Sequence, residues 1–257
     1  MFFEYNGVYN MEEKIREFAD IIKNSKKIVF FGGAGVSTES GLKDYRSRDG
    51  IYNTCSKYGI PPEEIISIDY FWENPEVFWQ FYREYFLAKA QPNTAHKAIA
   101  QLENAGWQVT VVTQNVDGLH QKAGSKKVLE LHGSAEKYYC HICGKKYGAD
   151  YVADESKPVP KCDECGGTIR TDVVLYGENL NQNVMESAIR AIWEADTLII
   201  GGTSLTVYPA ASFIEYFRGN HLVVINKDQT RSDASADLVF HDSIGKVMSA
   251  LLEQLKV

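Results

Sequence analysis

No apolar run in this sequence approaches the roughly 20 residues that a membrane-spanning helix requires, so we expect no membrane association. The N-terminus lacks the basic segment and long apolar stretch of a secretory signal peptide, which predicts a cytoplasmic protein. Basic residues are not in excess, because 27 Lys and Arg stand against 34 Asp and Glu, for a net charge of -7. Proteins that bind nucleic acid through its phosphates are usually basic, so no direct nucleic-acid binding is expected. The sequence has no coiled-coil pattern, and a monomer is expected.

A complete dinucleotide-binding fingerprint is also missing. The apolar run at residues 28–31 leads into Gly33-Ala34-Gly35, which supplies the first two glycines of G-x-G-x-x-G, but Thr38 stands where the third belongs. A glycine-rich turn after a strand is typical of a phosphate site. Because the third glycine is absent and the charged, aromatic Asp44-Tyr45-Arg46 follows, a hydride-transferring dehydrogenase is disfavoured.

Short apolar runs alternate with helical patterns along most of the chain. The runs predict strands at residues 28–31, 107–115, 128–131, 197–202 and 221–226. Helical spacing predicts helices at residues 11–25, at 94–105 with Thr94 as the cap, around 185–194, at 209–217 and near 244–255, and within the aromatic-rich residues 69–90 after Asn74-Pro75. We interpret the aromatic side chains of 69–90 as core packing, with a groove for an apolar ligand as the weaker alternative. This alternation predicts an α/β fold with a Rossmann-like, doubly wound parallel sheet.

Four of the five cysteines form two C-x-x-C pairs, Cys140 with Cys143 and Cys162 with Cys165. Each pair forms a tight turn whose two thiolates face one ion, and two such turns complete a tetrahedron. Four thiolates leave zinc no open position, so the spacing predicts one structural Zn²⁺. A redox dithiol is the weaker alternative, because the pairs lie outside any βαβ pattern. Cys55 stands alone and is interpreted as an ordinary free thiol.

Polar or glycine-rich residues follow several predicted strands. In open α/β sheets, ligands bind at the carboxyl ends of the strands, so these residues predict a nucleotide crevice. The residues in question are Gln114, Asn115, Asp117, His132, Gly201, Gly202, Thr203, Ser204 and Asn226. His132 is a candidate general base because the pKa of a histidine lies near physiological pH. Taken singly, each glycine turn could equally be an ordinary connection between a strand and a helix. Asp117 could be a helix cap, and His132 could be a structural residue.

Seven ordered blocks of the chain resemble the sirtuins, the NAD-dependent protein lysine deacylases, and the bacterial and archaeal members in particular. The blocks are GAGVSTESGLKDYR, TQNVDGLH, LHGS, the paired C-x-x-C, LYGEN, GTSLTVYPA and VVIN, and the resemblance runs from about Ile28 to Leu252. It implies a single catalytic domain over residues 1–257. Its Rossmann-like large lobe would comprise residues 28–50, 94–134 and 172–255, with a helical insert at 51–93 and a zinc-binding module at 135–171.

The resemblance implies that NAD is consumed as a co-substrate. It implies that Ala34 contacts the pyrophosphate of NAD and that Thr38 and Gln114 contact its ribose. Tyr45 and Arg46 would belong to a segment that covers the nicotinamide end of the cofactor. The nicotinamide carboxamide would be held by Asp117 and the Val116 backbone, phosphate and adenosine by Thr203, Ser204 and Asn226, and adenine by Ile244. Asn115 would position water or ribose, and His132 would act as the base toward the ribose hydroxyls.

The resemblance also implies where an acyl-lysine peptide binds. Its backbone would add as a strand between Gly177-Glu178-Asn179 and Leu205-Thr206-Val207. The acyl-lysine side chain would run past Val174 and Tyr176. The chain departs from the family pattern at Lys43, where the family has Pro, and at Tyr45 and Tyr176, where it has Phe.

The function implied is an NAD-dependent protein lysine deacetylase that transfers the acetyl group to ADP-ribose and releases nicotinamide and O-acetyl-ADP-ribose. Protein mono-ADP-ribosyl transfer and removal of longer neutral acyl groups are the alternatives within the family. A non-catalytic NAD sensor or zinc adaptor is disfavoured by Asn115, Asp117 and His132. The family members that remove acidic acyl groups carry a Tyr and an Arg where this chain has Tyr82 and Tyr85, so neutral groups are expected.

Overall fold

The computed structural model describes residues 10–44 and 58–257. Tyr45, Arg46 and Cys55 lie outside these residues, as do residues 1–9. The strands are β1 Lys27–Gly32, β2 Gln108–Thr113, β3 Val128–Glu130, β4 Tyr138–Cys140, β5 Lys146–Tyr147, β6 Ile169–Thr171, β7 Thr197–Gly201, β8 His221–Ile225 and β9 Leu238–Phe240. The helices are α1 Met11–Asn24, α2 Pro62–Ile65, α3 Ile68–Glu73, α4 Pro75–Phe86, α5 Thr94–Asn104, α6 Leu119–Ala123, α7 Ala149–Ala153, α8 Gln182–Glu194 and α9 Ile244–Leu255.

Six strands form one parallel sheet in the order β3-β2-β1-β7-β8-β9. The direction in which strands are added reverses between β1 and β7, which is the doubly wound arrangement of a Rossmann-like fold. The predicted α/β class is therefore confirmed. The edge strand β9 was not predicted, because its three residues are too short to show a pattern.

Alternate residues of β1 face opposite layers of helices. Phe30 packs in the core cluster that contains buried residues of α1, α5 and α9. Its neighbour Phe31 packs in the cluster that contains α8 and the 3-10 segment Ala210–Tyr216. Because both faces of the strand are buried, its sequence is apolar throughout rather than alternating.

The helices α2–α4 and the cysteine module share a separate hydrophobic core. Phe71 and Trp79 belong to the same cluster as Tyr138 and Ile169, which lie on β4 and β6. In this module β4 pairs antiparallel with both β5 and β6. The interpretation of the aromatic stripe as core packing is thus confirmed for Phe71, Phe78, Trp79, Phe81 and Tyr82, whereas Trp72 is 43% exposed and Phe86 lines the cavity described below.

Several helix boundaries differ from the sequence prediction. The cap of α5 is Asn93, whose Oδ1 accepts a hydrogen bond from the Ala95 amide at 2.9 Å, so the prediction of Thr94 as the cap is wrong. Asn74 separates α3 from α4, and an unpredicted helix therefore precedes Asn74-Pro75. The segment Ala210–Tyr216 is a 3-10 helix. Asn10 caps α1 by accepting from the Glu12 amide at 2.6 Å.

Over residues 10–44 and 58–257, no helix has the length and apolar character needed to cross a membrane.

Candidate active site

Two glycine loops meet where β1 and β7 end. The Gly35 amide donates a hydrogen bond to the Gly202 carbonyl at 2.8 Å, and the Gly33 amide donates to Gly201 at 3.2 Å. A Cβ atom on Gly35 would lie 2.8 Å from Gly202 Cα, so a side chain here would force the loops apart. The loops thus touch at the point of the sheet where open α/β folds bind nucleotides.

A cavity of about 770 Å³ opens at this edge of the sheet, within the usual size range of ligand pockets. One part of its lining comes from the two glycine loops and the N-terminus of α9. Another part consists of apolar residues, and Gln114, Asn115 and His132 contribute polar groups. The sequence-predicted residues that line it are Ala34, Thr38, Gln114, Asn115, Val116, His132, Val174, Tyr176, Gly177, Glu178, Thr203, Ser204, Val207, Asn226 and Ile244.

Both side-chain amide protons of Asn115 are donated to other groups of the protein. Its Nδ2 donates to the Gly33 carbonyl at 3.0 Å and to Ser37 Oγ at 3.1 Å. Its neighbour Gln114 donates from Nε2 to Thr203 Oγ1 at 3.1 Å, which connects the loop after β2 to the loop after β7. These bonds leave the Asn115 Oδ1 atom as an acceptor for a ligand.

His132 is oriented by a backbone carbonyl. Its Nδ1 lies 2.8 Å from the Gln114 carbonyl oxygen. Since a carbonyl only accepts, Nδ1 carries the proton and Nε2 keeps the lone pair of the neutral ring. Burial lowers the pKa of His132 below its ordinary value, although the bond to Gln114 acts in the opposite direction. The ring is therefore neutral at pH 7 and able to accept a proton at Nε2.

The glycine after His132 fixes the approach of the next segment. Gly133 has φ +72°, and a Cβ atom there would lie 2.0 Å from the Asp172 carbonyl oxygen. The His132 carbonyl accepts a hydrogen bond from the Val174 amide at 2.9 Å. The histidine and the predicted acyl-lysine channel are therefore in direct backbone contact.

Asp117 does not line the cavity. Its Oδ2 accepts from Ser37 Oγ at 2.7 Å, and its Oδ1 accepts from the Leu119 amide at 2.9 Å, at the start of α6. Asp117 therefore bonds the first amide of α6 from the residue before the N-cap, which is Gly118. Ser37, which sequence reasoning missed, is bonded to both Asn115 and Asp117.

Two buried histidines lie behind this network. His96 approaches Asn93 Oδ1 through Nδ1 at 3.0 Å and Ser37 Oγ through Nε2 at 3.4 Å. The His120 ring packs against the His96 ring, with centroids 4.7 Å apart. Among the described residues, neither ring nitrogen of His120 has a hydrogen-bond partner. Burial lowers the pKa of His96 to about 4, opposed by Asp117, and burial and then His96 lower the pKa of His120 to about 3.

These two histidines predict marked acid sensitivity of the fold. In the unfolded chain a histidine titrates near 6.5, so their contribution to stability is present above that pH and is lost as the pH falls toward about 4. At pH 5 the free energy of unfolding should be lower than at pH 7 by about 2 kcal/mol for each. Urea unfolding at the two pH values measures this difference. His120→Phe should remove about half of it, and the surface change His221→Gln should leave it intact.

One part of the cavity lining is apolar and consists of Ile66, Phe86, Val116, Val173, Val174, Leu175, Leu180 and Val207. The cavity is also lined by the charged residues Glu39, Asp44, Lys227, Asp228 and Asp242. Arg83 lies on α4, where its Nε donates to the Val152 carbonyl and its Nη2 to the Lys157 carbonyl, both at 2.7 Å. Tyr82 is fully buried, with its hydroxyl 2.7 Å from Thr171 Oγ1. Neither residue is among those that line the cavity.

The four cysteines of the two pairs come together. Their sulfur atoms all lie within 4.8 Å of one another, and the shortest separations are 3.4 Å for Cys140 with Cys165 and 3.6 Å for Cys143 with Cys162. Zinc–sulfur bonds of about 2.3 Å in a tetrahedron place the sulfurs about 3.8 Å apart. The donor set and its spacing therefore fit Zn²⁺.

A sequence model of the Sir2 family matches residues 33–209. The chain belongs to the Sir2 family. The resemblance to the sirtuins is thereby confirmed.

Curated Sir2 relatives match over nearly their whole length. A protein of Clostridium acetobutylicum named NAD-dependent protein deacetylase is 51% identical over 93% of this chain and 98% of its own. A Clostridium perfringens protein of the same name is 53% identical over 95% of this chain and 100% of its own.

Solved Sir2 structures share the fold. One containing a deacetylated p53 peptide and 3'-O-acetyl-ADP-ribose has a TM-score of 0.85 and 38% identity, covering 93% of this chain and 98% of that chain. Another, containing a p53 peptide and NAD⁺, has a TM-score of 0.83 and 39% identity over the same shares.

Part of the Sir2 cavity comes from residues that no local motif indicated. Ile66 and Phe86 line it from the helical segment, where the sequence pattern predicted core packing rather than a ligand site. Glu39 also lines it, and its Oε1 accepts from the Gly245 amide near the start of α9 at 3.3 Å. The predicted residues that do not line the cavity are Asp117, Asn179, Gly201, Leu205 and Thr206, and Tyr45 and Arg46 lie outside the described residues.

Proposed function

We propose that this chain is an NAD-dependent protein lysine deacetylase that transfers acetyl groups from lysine to ADP-ribose. The observation that carries the proposal is one cavity lined by the two glycine loops, by His132 and by an apolar acyl-lysine channel. The curated relatives bear the same activity in their names. The solved relatives hold acetylated or deacetylated peptides, NAD⁺ and an acetyl-ADP-ribose.

The cavity fits NAD in size and in chemistry. We assign phosphate and adenosine to Ala34, Thr203, Ser204, Asn226 and Ile244, and the nicotinamide ribose to Thr38, Gln114 and Asn115, all of which line it. Val116 holds the carboxamide through its backbone, and Tyr45 and Arg46 belong to the covering segment. Asp117 is the proposed side-chain partner of the same carboxamide, and its Oδ2 accepts a hydrogen bond from Ser37 Oγ at 2.7 Å. When bound, NAD supplies the ribose carbon that accepts the acyl oxygen as nicotinamide departs.

His132 provides the base. The Gln114 carbonyl fixes the proton on Nδ1, so Nε2 accepts the proton of a ribose hydroxyl. Asn115 orients water or ribose through Oδ1, because Gly33 and Ser37 occupy its amide protons.

The peptide binds by strand addition between residues 177–179 and 205–207. The acyl-lysine side chain enters past Val174 and Tyr176. Because the surrounding lining is apolar, and Arg83 is engaged with backbone carbonyls elsewhere, neutral acyl groups are preferred. An acidic acyl group would be desolvated among these apolar side chains, at a cost of several kcal/mol.

The remaining assignments follow from the same proposal. The cysteine module at residues 135–171 holds a structural Zn²⁺ and packs in one hydrophobic core with helices α2–α4 of the helical insert at 51–93. The large lobe comprises residues 28–50, 94–134 and 172–255. The protein acts as a cytoplasmic monomer and does not bind nucleic acid.

Mass spectrometry of the purified protein with NAD and acetyl-lysine peptide tests this function. We expect free lysine peptide, nicotinamide and O-acetyl-ADP-ribose in equal amounts. Propionyl and succinyl versions of the same peptide test the acyl preference, and the succinyl peptide should react least. An ADP-ribosylated protein without deacetylated peptide would identify a transferase instead. A clear preference for succinyl would refute the assignment of a neutral channel.

A further inference from the structure

A shielded ion pair joins the cysteine module to the acyl-lysine channel. Arg170 Nη2 lies 2.7 Å from Glu178 Oε2, and the side chains are only 13% and 23% exposed. Arg170 belongs to β6 of the module, and Glu178 follows the channel residue Tyr176. Shielding from water strengthens such a pair relative to ion pairs on the surface.

On one side of the pair, Glu178 closes a turn. The same Oε2 atom accepts the Leu175 amide at 2.9 Å, and the Glu178 amide donates back to the Leu175 carbonyl at 3.0 Å. Residues 175–178 are thereby held as one unit, with Gly177 at φ +90°. All four residues line the cavity, so the Glu178 carboxylate sets the shape of the channel wall.

On the other side, Arg170 is fixed by two parts of the fold. Its backbone pairs with Tyr139 of β4, next to the pair between Ile169 and the predicted zinc ligand Cys140. Its guanidinium lies over the Phe71 ring of α3, 5.6 Å from the centroid. The orientation of Arg170 therefore depends on the order of both the module and the helical segment.

We propose that Arg170 is a positioning residue for the acyl-lysine substrate, which acts by fixing Glu178 and the 175–178 turn against the zinc-binding module. This inference rests on the proposed function. Arg170 does not line the cavity and is not hydrogen-bonded to the glycine loops. Its effect should therefore fall on peptide binding and leave NAD binding unchanged. The pair is a direct contact between the cysteine module and a residue that lines the cavity.

The test compares Arg170→Met, which keeps the aliphatic stem over Phe71, with Glu178→Gln and the double variant, all in the full zinc-loaded chain. Each single change should raise the KM for acetyl peptide about tenfold, equivalent to about 1.4 kcal/mol. The KM for NAD and kcat should change less than about threefold, and the double variant should be no worse than either single one. Arg170→Lys should recover part of the loss. Lys122→Met, which breaks an exposed ion pair with Glu136 at 2.7 Å, is the matched control.

Two further measurements distinguish a specific loss of peptide binding from a general loss of the module's structure. Fluorescence polarisation of a labelled acetyl peptide reports binding without turnover, and zinc content reports the integrity of the module. Unchanged peptide affinity, an equal change in the KM for NAD, or loss of zinc from Arg170→Met would each overturn the inference. If the unaltered protein binds peptide but forms no deacetylated product, the proposed function fails, and the polarisation data still decide the role of the pair.

Discussion

Replacement of His132 by Ala is expected to lower kcat by about 10²–10⁴-fold, the usual contribution of a positioned general base. The fold should survive, because within residues 10–44 and 58–257 the ring makes one hydrogen bond, to the Gln114 carbonyl, and Gly133 rather than His132 sets the close approach to Asp172. The KM for peptide should change little, since the histidine acts on ribose hydroxyls.

The pH dependence of the unaltered protein provides an independent check on the same base. Burial lowers the pKa of His132, so the neutral base persists to lower pH than an exposed histidine would. The acid limb of kcat/KM, which reports the free enzyme, should therefore have its midpoint below about 6.5, and kcat/KM should fall as the pH decreases through it. His221→Ala is the matched control because His221 lies at the start of β8, away from the cavity lining. Full activity of His132→Ala would exclude this histidine as the base.

Removal of zinc is expected to abolish peptide deacetylation and to unfold only part of the molecule. The module is held by three strands of two or three residues, which are too short to be stable alone. Structural zinc sites contribute on the order of 10 kcal/mol to folding in small domains. Because residues of the module share their core cluster with α2–α4, the loss should extend to that helical segment.

Hydrogen exchange with and without a chelator shows which parts of the molecule unfold when zinc is removed. Amides of β4–β6 and α4 should lose protection, whereas β1, β7 and β8 should keep theirs, because these strands pack in two other clusters. Cys162→Ser should reproduce the effect, and Cys55→Ser, which changes the one cysteine outside the two pairs, should not. Exchange that increases uniformly over the whole protein would show that the module and the sheet unfold together.

The sequence was sufficient for the features that depend on local pattern. The large sheet was predicted because strands buried on both faces give apolar runs such as residues 28–31, and the crevice because glycines and polar residues follow those runs. The zinc ligands were predicted because a tetrahedral ion imposes a fixed spacing on cysteines, and the four sulfurs do lie together.

Features that depend on distant partners were not predictable in this way. Asn93 and Thr94 are both good capping residues, and only the backbone geometry selects Asn93. Asp117 lies two residues after Asn115, and nothing in the local sequence indicates that its carboxylate accepts a hydrogen bond from Ser37. The strands β4–β6 are too short for any period to show, and Arg170 gives no local sign that it pairs with Glu178.

The position of β1 in the sheet has a consequence for the order in which the protein folds. Ile28 pairs with Val109 on one side and with Thr197 on the other. During synthesis, one edge of this apolar strand lacks its partner until β7 has left the ribosome, and unpaired strand edges favour aggregation. The contact between Gly35 and Gly202 forms later still. The catalytic crevice is thus assembled only when most of the chain is available, and no N-terminal fragment that ends before β7 contains it.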